Sequence, residues 1–290
     1  MRRLATWCLV LFTIVACGKG APTSTPSTPA ATASSGPPVP VTATPTPTPA
    51  GTTAVKIYLF VGERLVPVQR EVPYTLAVGR AAIEQTIAGP SPAERSAFPG
   101  LSTNIPAGTL LLGLEIGDGL ATVDLSRNFE SGGGSASMFA RLAQVVFALT
   151  QFPTVDRVAF ELDGLPVTVF SGEGIVLDRP SVRADFESFL PAIFVDGPAY
   201  GATLDNPVRI TGVANVFEAT FLVEIRDALG QTLVQRQVMA SCGTGCWGTF
   251  DVTIPYSVGS VQQGSLHVYD LSPRDGSIEN LSSYPVLLVP

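Results

Sequence analysis

Histidine is almost missing from this 290-residue chain, where His267 is the only one. Mechanisms that use a histidine pair are thereby excluded, and any that uses a single imidazole depends on that residue. Charge is scarce too, at 14% of residues where about 25% is ordinary. Lys and Arg number 17 against 24 Asp and Glu, a formal charge of −7. No cationic surface is left to follow a phosphate backbone, so nucleic acid is excluded as a partner. The Gly-x-Ser-x-Gly elbow and the phosphate-loop signature are both lacking. Cysteine is limited to 4 residues, Cys8, Cys17, Cys242 and Cys246. No second Cys or His cluster exists to complete a tetrahedral zinc site around the last two, so neither metal nor other cofactor is expected.

What is present starts with Met1-Arg2-Arg3, an apolar run from Leu4 to Ala16 broken only by Thr6 and Thr13, and then Cys17-Gly18-Lys19. A basic segment before a short apolar one is a processed export signal, and the run falls short of the ~20 residues of a comfortable membrane span. Ile14-Val15-Ala16-Cys17 resembles the lipobox of bacterial lipoproteins. That resemblance implies that residues 1–16 are removed and that Cys17 is diacylated, an anchor that two acyl chains make stable. From Ala21 to Thr53 the chain contains only Ala, Pro, Thr, Ser, Gly and Val. Such a segment cannot bury enough apolar surface to offset its ordering entropy, and its repeated prolines favour an extended stalk over residues 17–53. The expected location is extracytoplasmic, held to the membrane through Cys17. In an exported chain Cys242 and Cys246 form an obvious disulfide pair, with Gly243 and Gly245 allowing the short loop to turn.

After the stalk, Val55–Val61 reads as a strand rich in β-branched and aromatic residues. Tyr74–Ala88 has near-helical spacing and stops at Gly89-Pro90, and Ser91-Pro92-Ala93-Glu94 is a capping box that opens a short helix. Leu110–Ile116 and Leu120–Leu125 flank Gly117-Asp118-Gly119 as a hairpin, with Asp118 and Asp124 as turn and strand-end residues. Ser135–Gln151 is the strongest helix, with Phe139, Leu142, Ala143, Val146, Phe147 and Leu149 on a broad apolar face. Val155–Leu162 and Leu165–Phe170 then form strands around Asp163-Gly164. The order β-α-β-β-α-β-β predicts an α+β domain with helices on one face of a sheet.

Several strings in this region carry a resemblance. They are Ala88-Gly89-Pro90 with Ala93-Glu94-Arg95, Asn104-Ile105-Pro106-Ala107-Gly108-Thr109, Ala121-Thr122-Val123-Asp124-Leu125-Ser126, Gly132-Gly133-Gly134-Ser135, Thr150-Gln151-Phe152-Pro153 and Asp163-Gly164. In this order, over residues 54–171, they resemble the GerMN domain of spore-germination and sporulation proteins. The resemblance implies a small α/β fold related in shape to ring-building modules of envelope assemblies, and no catalytic residue. It does not imply that the source organism sporulates.

From Leu190 onward helical periodicity is lost. Ala192–Val195, Val208–Val213, Thr220–Arg226, Thr232–Met239, Gly248–Ile254, Ser265–Tyr269 and Ser283–Val289 are short alternating runs between turn clusters, the pattern of an antiparallel sandwich. Val195-Asp196-Gly197-Pro198, Thr211-Gly212-Val213-Ala214-Asn215-Val216-Phe217-Glu218-Ala219 and Gly248-Thr249-Phe250 are similar to the immunoglobulin-like domain of bacterial spore germination, Gmad2, over 191–290. The fold class expected is therefore two domains, α+β and then an all-β immunoglobulin-like sandwich, joined by a linker at 172–190.

Candidate chemistry is thin. His267 alternates with Leu266 and Val268 and reads as a satisfied strand histidine. Gly132-Gly133-Gly134 precedes a helix and could cradle an anion there with Arg127 nearby, or could be a flexible loop with Ser135 or Ser137 as cap. The segment Ser126–Ser135 is the candidate partner-binding edge, formed by Arg127, Asn128, Phe129, Gly132, Gly133 and Gly134. Phe129 decides its nature, since an exposed aromatic would anchor an interface and a buried one would make the loop a connector. The function expected is that of a lipid-anchored, non-enzymatic envelope protein presenting the two domains for binding or assembly. The alternatives are a sensory accessory to a membrane partner and, lacking a titratable constellation, a cell-wall hydrolase. Besides the membrane, the partners left open are an envelope protein, the cell wall and a second copy meeting through the GerMN-like domain.

Overall fold

The computed structural model describes residues 51–290. The segment expected as a signal (1–16), Cys17 and the expected stalk as far as residue 50 lie outside the described residues. Strand β1 (Thr52–Val61) already takes up Thr52 and Thr53, so the regular structure starts inside the segment expected as stalk. It turns at Gly62-Glu63 into β2 (Arg64–Pro73), with Val61 opposite Arg64. Gly62 has φ 60° there, a left-handed conformation that glycine adopts without strain. The short β3 (Leu101–Ser102) pairs along the other edge of β1, giving the order β2-β1-β3. Strand β2 was not evident in the sequence, where Pro67 and Pro73 interrupt its run. As an edge strand it tolerates proline.

Helix α1 (Val78–Ala88) begins four residues later than the spacing suggested, without a side-chain cap. Helix α2 (Pro92–Ala97) has the expected capping box, in which Ser91 Oγ accepts from the Glu94 amide at 3.2 Å and Glu94 Oε2 accepts from the Ser91 amide at 2.7 Å. Arg70 on β2 ties both helices down: it pairs with Glu94 and donates to the Gln85 and Gly89 carbonyls at 3.0 and 2.7 Å. Strands β4 (Leu111–Gly117) and β5 (Gly119–Leu125) make the expected hairpin, with Asp118 at φ 51° and Gly119 at φ 75°, both left-handed as a two-residue hairpin turn requires.

The other neighbour of β5 is β6 (Val155–Leu162), parallel to it and reached through α3 (Ser135–Leu149); β7 (Leu165–Pro166) completes the order β4-β5-β6-β7. The apolar stripe on α3 is wider than one face. Met138, Ala140, Arg141 and every residue from Leu142 to Leu149 are buried, because Tyr58 and Phe60 of β1 and the inward residues of β5 and β6 belong to one core around it. Burying each large apolar side chain contributes about 1.5–3 kcal/mol. Phe139, expected on the apolar face, is 40% exposed, and the buried place near it belongs to Arg141, at 2%.

The segment 172–190, expected as a linker, is structured and packed. After β8 (Val169–Phe170), strand β9 (Ile175–Val176) pairs back on it, Ser181 bridges to Val158, and a 3₁₀ segment Arg183–Phe189 follows. Phe186 and Leu190 belong to the same core as α3. They are isolated apolar residues without a period, which is why the sequence reads as a connector.

The second domain is the expected sandwich. One sheet has the order β10 (Ile193–Gly197), β12 (Val208–Ala214), β15 (Gly248–Ile254). The other has β11 (Thr203–Leu204), β17 (Ile278–Leu288), β16 (Gln262–Leu271), β13 (Thr220–Arg226) and β14 (Thr232–Met239) in that order. Phe221, Val223 and Ile225 alternate inward from β13 and meet Ile210, Phe250, Leu266, Val268, Tyr284 and Val286 in a second core.

Candidate functional site

The structure separates the residues of the expected partner edge. Phe129 is fully buried, with its ring centroid 5.4 Å from that of Phe170 and 6.3 Å from that of Phe160. It is a core residue and no interface anchor, because the short 3₁₀ turn Arg127–Glu130 directs it under the sheet. The glycine turn is organised from below. Arg141 donates to the carbonyls of Phe129, Ser131 and Gly132 at 2.6, 3.0 and 3.0 Å, and to Ser137 Oγ at 3.0 Å. A Cβ on Gly133 would come 2.8 Å from Ser137 Cβ and 3.1 Å from Arg141 Nη2. Neither Ser135 nor Ser137 caps α3; its N-cap is Gly134, and Ser135 Oγ donates to Glu173 at 2.5 Å. A carboxylate of the chain's own thus stands by the helix start. Asn128 Nδ2 holds the Ala107 carbonyl at 2.8 Å, and Arg127, 59% exposed, pairs with Glu130 and Asp163. Of the six residues, Arg127 offers its side chain most plainly to a partner.

Asp124 Oδ1 accepts from the Gly164 amide at 3.0 Å and Asp118 sits in its turn, as expected. Cys242 and Cys246 are bonded, with Cα atoms 5.9 Å apart. Gly245 has φ 97°, whereas Gly243 is required by close approach: a Cβ there would lie 2.3 Å from the Ala219 amide nitrogen. His267 does alternate with core residues Leu266 and Val268, and its Nε2 meets Ser265 Oγ at 2.8 Å, but its buried Nδ1 has no partner. Desolvation first and Arg226 second hold it below the ordinary histidine range.

The densest charge cluster lies elsewhere, where the domains meet. Asp196 on β10 receives the Tyr58 hydroxyl at 2.5 Å, Lys56 Nζ at 3.2 Å and Arg183 Nη1 at 3.2 Å. Lys56 also donates to the Asp196 carbonyl at 2.9 Å. Arg183 is itself positioned by Thr150 Oγ1 at 2.7 Å and stacks over the Phe147 ring at 4.5 Å. Burial alone would raise the Asp196 carboxyl, but Arg183 and then Lys56, with the Tyr58 hydroxyl, hold it below its ordinary value. Burial pushes Tyr58 well above the usual phenol range, and Asp196 adds to that. Backbone pairing backs the cluster: the Gln69 amide donates to the Tyr200 carbonyl at 3.0 Å and the Tyr200 amide to the Pro67 carbonyl at 2.9 Å. The Tyr200 ring sits edge-on to Phe98 of the first domain and Tyr284 of the second.

Beside this junction opens a cleft of about 320 Å³. Phe147, Leu190, Phe194, Val213 and Phe250 give it an apolar lining, and Arg183, Glu187, Asp196 and Asp251 its charged groups. Gly212 on β12 is indispensable to this wall, since a Cβ would fall 2.0 Å from the Phe194 carbonyl oxygen and 2.6 Å from the Phe250 ring. Glu187 lies above the usual glutamate range because burial disfavours its charge. None of these charged residues stood out as a site in the sequence. A signal was there: in a chain so poor in charge, Lys56 within VKIYLFV and Asp196 within IFVDG each interrupt an apolar run, and a buried charge needs a partner.

Comparison with known families accounts for both domains. Residues 56–168 match the Germane family model, described as sporulation and spore germination, and residues 192–277 match Gmad2, the immunoglobulin-like domain of bacterial spore germination. The chain therefore carries a GerMN-like region followed by an immunoglobulin-like Gmad2 region, and neither family description is that of an enzyme. Similar solved structures include the first GerMN domain of the sporulation protein GerM from Bacillus subtilis, at 22% identity and TM-score 0.40, over 46% of this chain and 100% of that one. The tandem GerMN domains of the same protein align at 16% identity and TM-score 0.41, over 72% of this chain and 64% of that one. No curated protein matches the chain. Among the described residues no helix is long and apolar enough to cross a membrane.

Proposed function

We propose that this is a lipid-anchored, non-enzymatic envelope protein that presents its GerMN and Gmad2 domains as one unit for binding at the cell surface. The observation that carries the reading is the junction. Asp196 is shared among Lys56, Tyr58 and Arg183, and an ion cluster of this kind is costly to open. A docked pair forms a cleft from both domains that neither forms alone, and clefts at domain boundaries are where ligands commonly bind. Cys17 supplies the anchor and the Pro- and Thr-rich segment the spacer. Three measurements test this. Cys17→Ser should shift the protein from the detergent phase to the aqueous phase, and crosslinking on intact membranes should recover a partner. Unchanged partition refutes the anchor, and release of sugar or peptide from purified cell wall refutes the non-enzymatic reading.

A further inference from the structure

Resting on that reading of the docked pair, we propose that the cleft at the junction receives a basic, apolar segment of a partner polypeptide: a large apolar side chain next to a lysine or arginine. The apolar half follows from the lining, in which Phe147, Phe194 and Phe250 come from α3, β10 and β15 and converge on a space of about 320 Å³. That volume holds one large side chain and part of its neighbour, at the lower end of the ~300–1,000 Å³ of ligand pockets.

The basic half follows from the balance of charge in the wall. Arg183 is matched by Asp196 at 3.2 Å, and Asp251 is matched by both prongs of Arg209 at 2.8 and 2.6 Å. Lys56 reaches Asp196 and Arg209 reaches Asp251 from outside the lining, so among the charged groups that line the cleft Arg183 stands alone against Asp196, Asp251 and Glu187. Glu187 is left over. It faces the same space, and among the described residues neither an ion pair nor a hydrogen bond engages its carboxylate, whose only perturbation is the burial that penalises its charge. An ammonium or guanidinium brought in by a ligand supplies the missing counter-charge, whereas a carboxylate would meet Glu187 with like charge. A formal charge of −7 over the whole chain favours the same kind of partner at longer range.

The test uses the full chain and two capped dipeptides, acetyl-Phe-Lys-amide and acetyl-Phe-Glu-amide, titrated by amide NMR. The lysine peptide should shift resonances of residues 183–190, 211–213 and 249–251, and the glutamate peptide should bind at least about tenfold more weakly. Glu187→Gln should remove that discrimination. Ala184→Trp, at an exposed position in the cleft wall, should block both peptides without changing the melting temperature. Equal binding of the two peptides, no binding of either, or shifts confined to another surface would overturn the ligand class. If a crosslinked partner is still recovered from membranes in that case, only this inference falls and the reading of the pair as a binding unit stands.

Discussion

In the GerMN domain the buried charge is the guanidinium of Arg141, on a helix buried from Ala140 to Leu149, whereas in the Gmad2 domain Glu224 and Asp270 are buried carboxylates, Glu224 on the outer face of a sheet. Arg141 spends its donors on carbonyls of the irregular segment 129–132, where no strand or helix would otherwise pair them. Glu224 is held by Arg226 at 2.9 Å, Tyr269 at 3.3 Å and the Thr232 hydroxyl, neighbours that the ladder itself delivers. The difference teaches where each fold needs polar groups. A sheet satisfies its backbone through register, while an α+β domain with long connections needs side chains to close its loops. Asp196 combines the two, since it belongs to a strand of the sandwich and is neutralised by cations of the other domain.

Breaking that shared residue should have the largest effect. Asp196→Ala strands Lys56 and Arg183 beside an apolar core, and removing one side of such a cluster costs about 3 kcal/mol or somewhat more. A single unfolding transition should separate into two by calorimetry, the domains having lost their lock; one unchanged transition would contradict the role given to Asp196. The pH dependence has a definite sign. Because the folded carboxyl lies below its ordinary value of 3.8, its contribution is fully present above that value and is lost as pH falls through the lower folded one. Undocking on acidification should thus set in below about pH 4, and Asp196→Asn should abolish that acid step.

Next comes the hub of the first domain. Arg141→Met keeps much of the buried volume but leaves the Phe129, Ser131 and Gly132 carbonyls without their donor, at a cost of roughly 2–3 kcal/mol. Amide exchange should accelerate over residues 129–137 before it does in the sandwich. Uniform acceleration across both domains would mean that Arg141 does not act locally. Smaller again is the clip in the second domain. Replacing Cys242 and Cys246 by serine opens a very short loop, for which chain entropy gives ~2 kcal/mol. The sandwich should stay folded, as its strands do not depend on the clip, and thiol titration of the oxidised protein should find neither cysteine free.

How far the sequence could be read follows the same division. Three sandwich strands were legible residue by residue, since Thr220–Arg226, Thr232–Met239 and Gly248–Ile254 each alternate between bounded turns, whereas only the middle of β16 and the second half of β17 were read and the short β11 was missed. In the first domain the features with local chemistry were legible, such as the Ser91–Glu94 box and the Asp118-Gly119 turn. Those fixed by tertiary contact were not. Arg141 reads as a polar position on a helix, Phe186 as a residue in a connector, and Asp196 as the residue that follows a short strand, because nothing adjacent to them in sequence reports what they touch in space. The GerMN resemblance located the domain without locating the junction, for the cluster needs residues from both domains and from the segment between them.

The smallest effect expected is at Arg127, and it sharpens the comparison by testing a charge that neither domain buries. Its partners Glu130 and Asp163 are at 3.2 and 3.5 Å, and its side chain is 59% exposed. Exposed pairs of this kind contribute about 0–1 kcal/mol, reduced further by salt. Arg127→Glu should therefore lower stability by less than about 1 kcal/mol, and 1 M salt should erase most of the difference. Asn128 must stay intact in this experiment, since its amide holds the Ala107 carbonyl and its loss would unpin the loop for a structural reason. With that control, recovery of a crosslinked partner becomes a clean readout of the surface around Arg127. If the charge reversal lowers recovery while the melting temperature holds, this edge contributes to binding alongside the cleft. If recovery is unchanged while Glu187→Gln lowers it, contact belongs to the junction, and the glycine turn is the connector that a buried Phe129 makes it.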